Sequence, residues 1–169
     1  MYVRRGLQKV VSGFAAVGLL LAVTGAAPPA EVRAEQPFAG LMGTWSGSGQ
    51  IQLANGSTES LKCRAYYTPR ESGNSLGLAI RCASPSNKIE LRANLTFQGG
   101  RISGSWEERT YNAMGAVTGQ VSGNRFSLSI VGGGFQGSMS VSTTGSSQSV
   151  MITTQGIGLK GVHISLSKG

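Results

Sequence analysis

The residues able to do covalent or acid–base chemistry are few and poorly placed for it. The chain has one histidine, His163, no aspartate, and two cysteines, Cys63 and Cys82. His163 lies between Val162 and Ile164 in an alternating stretch, on the face opposite both, which directs it to solvent. With no second histidine and no aspartate, neither a nucleophile–base pair nor a zinc site can be assembled. Glu107 and Glu108 are adjacent, so on a strand they point to opposite faces and cannot act as paired carboxylates. Glu108 keeps the inward parity of Trp106 and could be a polar group at a pocket mouth, although its place at a strand end favours exposure. Gly132-Gly133-Gly134 has the composition of a phosphate loop, but no Gly-Lys-Ser follows it. The chain therefore reads as a protein that binds rather than reacts, with no catalytic residue, metal site or cofactor expected.

The compartment is legible at the N-terminus. Arg4, Arg5 and Lys9 precede an apolar run, Val10–Ala27, and Val32-Arg33-Ala34 offers small residues to a signal peptidase. Met1–Ala34 is thus expected to be a secretory signal cleaved before Glu35. Cleavage after Ala26 or Ala27, or retention as a membrane anchor, is the alternative. Removal leaves one domain over 35–169 with no transmembrane segment, periplasmic or secreted. Part of the formal net charge of +8 leaves with the signal. In an oxidising compartment Cys63 and Cys82 are expected to form one disulfide, two buried thiols being the alternative.

The elements that must position everything else are strands. From Thr44 onward, apolar and polar residues alternate with period two, and Gly, Asn, Ser and Pro interrupt them at short intervals. Strand two, Ser60–Thr68, points Leu61, Cys63, Ala65 and Tyr67 inward. Strand four is the clearest, with Ile89, Leu91, Ala93, Leu95 and Phe97 alternating with charged and polar residues. Asn55-Gly56 and Gly123-Asn124 are hairpin signals, and Gly132–Gly134 reads as a flexible link or bulge. Nine or ten short strands in a meander favour an all-β, antiparallel up-and-down β-barrel of about 8–10 strands, which removes sheet edges by closure. A β-sandwich is the alternative. Gly47, Gly49, Gly77, Gly104, Gly119 and Gly137 fall inside these strands, where glycine permits the bends and bulges of a barrel wall. Lys62, Arg64, Arg81, Glu90 and Arg92 share the outward face, which argues against a membrane barrel.

Gly43-Thr44-Trp45 on the first strand resembles the Gly-x-Trp signature of the calycin barrels, the lipocalins and avidins, and Gly104-Ser105-Trp106 repeats it on strand five. The resemblance implies a barrel whose first Trp packs over its base. It brings no ligand residues, because an avidin pocket needs aspartate and several tryptophans. Small periplasmic protease inhibitors are similar in the same features and in a single disulfide.

Two functions follow from this reading. In the first, the barrel holds a small apolar molecule. Trp45 near the base and Leu78, Leu91, Leu95 and Trp106 would line the cavity, with Leu128, Ile130, Val141 and Ile152 from the later strands. In the second, the interior is filled and the protein works through its loops (Pro69–Asn74 and Thr110–Gly115) or its outer wall. There Lys62, Arg64, Arg81, Lys88 and Arg92 form a basic patch suited to acidic polysaccharide, lipopolysaccharide or an envelope protein. An ordinary solvated face is the alternative for that patch. Nucleic acid is not an expected partner of an exported protein.

Overall fold

The period-two alternation resolves into ten antiparallel strands. The structure, a computed structural model, describes residues 36–169, so the expected signal and its cleavage site lie outside the described residues. The strands are β1 (Gly43–Leu53), β2 (Thr58–Arg70), β3 (Ser75–Ala83), β4 (Lys88–Gln98), β5 (Arg101–Glu108), β6 (Ala113–Ser122), β7 (Arg125–Gly132), β8 (Phe135–Thr144), β9 (Ser147–Gln155) and β10 (Leu159–Lys168). Each pairs with the next, and β1 pairs with β10 to close the sheet. This is an up-and-down barrel, not a sandwich. Among the described residues no helix is long and apolar enough to cross a membrane.

Inward positions are apolar and outward positions polar, as the alternation requires. On β2, Leu61, Cys63, Ala65 and Tyr67 are buried while Lys62, Arg64 and Tyr66 are exposed. Cys63 and Cys82 are directly opposite in the β2–β3 register and form a disulfide. At a sequence separation of 19, a bridge of this span stabilises by about 3 kcal/mol in the chain-entropy model.

Two expectations need correction. Gly133 and Gly134 are not a link or bulge but the two central residues of the β7–β8 hairpin, which begins where Gly132 pairs with Phe135. Both have positive φ, 60° and 80°, the conformation that a tight hairpin of this hand demands. The expected loops are also shorter, because Pro69 and Arg70 extend β2 and Ala113–Gly115 open β6.

One end of the barrel is plugged. Ahead of β1, a 3-10 turn (Ala39–Leu41) carries Phe38 and Leu41 into the base. Phe38, 1% exposed, donates its backbone N–H to Gly73 O (3.2 Å) beside β2 and β3. Its ring stacks on Phe126 of β7, with centroids 5.9 Å apart. The plug therefore reaches across the base. Trp45, fully buried, donates its indole N–H to Leu41 O (2.9 Å) and meets Tyr67 edge-on. Lys168 Nζ lies 5.7 Å from the Trp45 ring centroid and donates to Gly40 O (3.3 Å), so β10 also holds the plug.

The strand glycines differ from one another in their surroundings. The only register shift in the β1–β10 pairing falls between Gln52 and Leu53, away from any of them. A methyl group at Gly104 would overlap the Asn94 carbonyl oxygen of the neighbouring strand, whereas at Gly77 nothing lies nearer than 3.8 Å. Gly104→Ala is therefore expected to cost about 1–3 kcal/mol by overpacking, and Gly77→Ala much less. Urea denaturation of the two variants checks this, and equal losses would refute close strand approach as the reason for Gly104.

Candidate functional site

Ten strands enclose more space than their side chains fill. A cavity of about 680 Å³ runs through the interior, within the roughly 300–1,000 Å³ typical of small-molecule sites. Phe38 and Leu41 form its floor. At the far end Tyr111 and Ile157 line it while remaining exposed, so the cavity meets solvent there. The turns that carry Asn87, Tyr111, Gly133 and Ile157 form the rim.

The walls are apolar. Leu78 of β3, Leu91 and Leu95 of β4 and Trp106 of β5 line one side, and Leu128 and Ile130 of β7, Val141 of β8 and Ile152 of β9 line the other. Trp45 does not touch the cavity, contrary to its expected place in the lining. It is sealed beneath the floor by its bond to Leu41, so it is part of the closure. The disulfide sulfurs' residues, Cys63 and Cys82, also face the interior.

Polar groups enter this lining at two heights. Toward the base, Tyr67 donates its hydroxyl hydrogen to Gln148 Oε1 (2.8 Å), and Gln148 Nε2 donates to Thr143 Oγ1 (3.3 Å). Burial pushes the Tyr67 phenol up to about 12, the Gln148 bond offsetting only part of that. At the rim, Glu108 is 8% exposed, not at an open strand end as expected. Its Oε1 accepts from Glu90 N (2.7 Å) and its Oε2 from Tyr111 N (2.7 Å). Burial alone would raise its pKa. Donors from Glu90, Tyr111 and Thr110 outweigh burial and hold the carboxyl below its ordinary value. Tyr111 then donates its hydroxyl hydrogen to Asn87 Oδ1 (3.1 Å), linking two rim turns. Elsewhere on the rim Glu59 accepts from the Ser84 and Ser86 hydroxyls, which lower its pKa.

The residues missed in the sequence are Phe38, Leu41, Tyr67 and Gln148 as site-formers. Gln148 has the inward parity of Val150 and Ile152, but it is only the second residue of β9, where the alternation is just beginning. Phe38 and Leu41 stand just before the Gly-x-Trp signature, where no strand pattern marks them.

The basic side chains lie on the outer wall. Lys62 and Arg64 of β2, Arg81 of β3 and Lys88 and Arg92 of β4 are all exposed. Arg64 stands directly across from Arg81, a like-charge pair. Among the described residues the ion pairs gather on Glu90, which meets Arg81 at 3.3 Å and Arg92 and Arg109 at 3.9 Å each. Such exposed pairs contribute little to stability. His163 is exposed on β10, and among the described residues no cluster of three His, Cys, Asp or Glu side chains could hold a metal.

The fold is that of a calycin-like barrel. No protein-family model and no curated protein matches the chain. Solved structures do match. Rv2717c from M. tuberculosis aligns with a TM-score of 0.61 and 12% identity, over 79% of this chain and 96% of that one. The S-type phycobiliprotein lyase CPES from Guillardia theta aligns with a TM-score of 0.57 and 14% identity, over 78% and 90%. At these identities the likeness is one of fold.

Tyr67 makes a measurable contribution to pH dependence. A phenol whose pKa rises from 10 to about 12 on folding favours the folded state below pH 10, where both states are protonated. Above pH 10 the unfolded state loses its proton first, so this stability declines between pH 10 and about 12. Tyr67→Phe is expected to flatten that part of the decline in a denaturation series. At neutral pH it should cost about 1–3 kcal/mol, because Gln148 Oε1 loses its donor.

Proposed function

We propose that this protein is an exported carrier that holds one small, largely apolar molecule inside its barrel. The observation that carries this reading is the apolar cavity, closed by Phe38 at one end and open at the other. Burial of apolar surface would supply the affinity, and the few polar groups would fix orientation. The disulfide favours an oxidising compartment. The lyase activity named for CPES belongs to that protein. In this chain Tyr67, Glu108 and Tyr111 are ionisable groups of the lining, and each is already hydrogen-bonded within the protein. That arrangement supports binding without chemistry.

The two tryptophans make the test direct, since Trp106 lines the cavity and Trp45 does not. Titrating the purified full-length chain with the neutral probe N-phenyl-1-naphthylamine is expected to give a saturable, one-to-one rise in probe emission and to quench tryptophan fluorescence. Trp45→Phe should keep the quench and Trp106→Phe should lose it. Probe emission that never saturates would sink the carrier reading.

A second reading rests on Arg64 facing Arg81 with Lys62 beside them, an outer wall that an acidic polysaccharide would neutralise. The triple variant R64E/R81E/R92E is expected to elute from heparin at much lower salt while remaining folded. Unchanged elution would refute a basic wall.

A further inference from the structure

The cavity's polar groups differ in what they leave free. At the base, Tyr67, Gln148 and Thr143 satisfy one another in series and offer a ligand little. Near the rim the situation is reversed. Trp106 and Glu108 are two residues apart on β5, on the same inward face, and both line the cavity. Trp106 is 4% exposed, and its indole N–H is buried with no partner. The ring lies over Gly115, where an added methyl group would come within 2.8 Å of the nitrogen. Gly115 has no side chain to accept that hydrogen. Buried donors without acceptors are rare enough to need a reason. Beside it, Glu108 is a carboxylate of the lining, and a carboxylate has about four acceptor positions. Amide bonds from Glu90 and Tyr111 take one on each oxygen, and Thr110 also donates toward this carboxyl.

Resting on the carrier reading, we infer that the ligand is an amphiphile with a non-anionic, N–H-bearing headgroup seated at the rim between Glu108 and Trp106, its apolar part in the cavity below. Glu108 accepts from the headgroup nitrogen, and an oxygen beside that nitrogen accepts from Trp106. A carboxylate headgroup would instead meet the Glu108 charge across a short, poorly solvated gap. The same amide donors hold Glu108 ionised. The preference runs against the protein's overall field, because the basic excess that remains after the signal is removed draws anions from a distance. A fatty-acid carrier of this charge would be expected to place a cation, not Glu108, at its mouth.

The experiment is displacement of N-phenyl-1-naphthylamine from the full-length chain at pH 7 by three ligands of equal chain length: decanamide, decylamine and decanoate. Both nitrogen headgroups are expected to bind at least tenfold more tightly than decanoate. Glu108→Gln should bring all three within about threefold. If Glu108 served only to brace the Tyr111 turn, the variant would weaken all three together and keep their ratio, which would overturn the inference. Decanoate equal to or tighter than decylamine in the unaltered protein would overturn it too, whether or not the variant folds. Probe that binds but yields to none of the three sinks the headgroup inference and spares the carrier. Probe that does not bind at all sinks both.

Discussion

The pairing of β1 with β10, from Trp45 opposite Lys168 to Leu53 opposite Leu159, removes the last free edge of the sheet. Once that seam forms, every inward side chain of ten strands faces a single interior. Closure also fixes the size of that interior. About eight strands make a barrel that side chains can fill or that holds one small ligand. Ten strands enclose a wider interior, and the inward side chains leave part of it unfilled. The cavity is thus a consequence of strand number and inward side-chain size together.

The same seam makes the two ends of the barrel unlike. Lys168, at the end of β10, reaches the Trp45 ring and Gly40 O, and so ties the closing strand to the plug. Phe38 stacks on Phe126 from the far side of the ring of strands. The base is held from β1, β2, β7 and β10 at once. Among the described residues the rim has no such plug. Its turns are joined by small polar contacts, among them Tyr111 to Asn87, Glu59 to Ser84 and Ser86, and Ala54 N to Gly158 O. A ligand entering from solvent meets polar rim groups first and an apolar floor last.

The fold was largely legible because one face of nearly every strand must be buried, and that leaves a period-two record in the sequence. Leu61-Lys62-Cys63-Arg64-Ala65 is such a record, and it places Cys63 on the interior face. What was not legible has no periodic signature. Phe38 and Leu41 act through a single 3-10 turn whose position depends on Gly73 and Phe126, both distant in sequence. Glu108 reads as exposed at its strand end because local sequence cannot show which amides converge on it. Those come from Glu90, 18 residues earlier, and from Tyr111, three residues later. Gly104 and Gly77 look alike as strand glycines, yet only the first has a neighbouring carbonyl in the space of its missing side chain.

A hollow interior also bears on stability. Apolar side chains that face an unfilled space forfeit the dispersion contacts they would make in a packed core. The barrel offsets part of that loss with features that do not depend on filling: a continuous backbone ladder, the Cys63–Cys82 bridge inside the wall, and a base packed from both sides. A molecule that fits the cavity restores the missing contacts and binds only the folded chain, so it must stabilise the fold in proportion to the logarithm of its concentration over its dissociation constant. On the proposed carrier reading, ligand binding and thermal stability are therefore one linked property. On that reading the residues that set the cavity's size govern both, whereas Glu108, held at the rim by backbone amides, would govern which molecule is chosen.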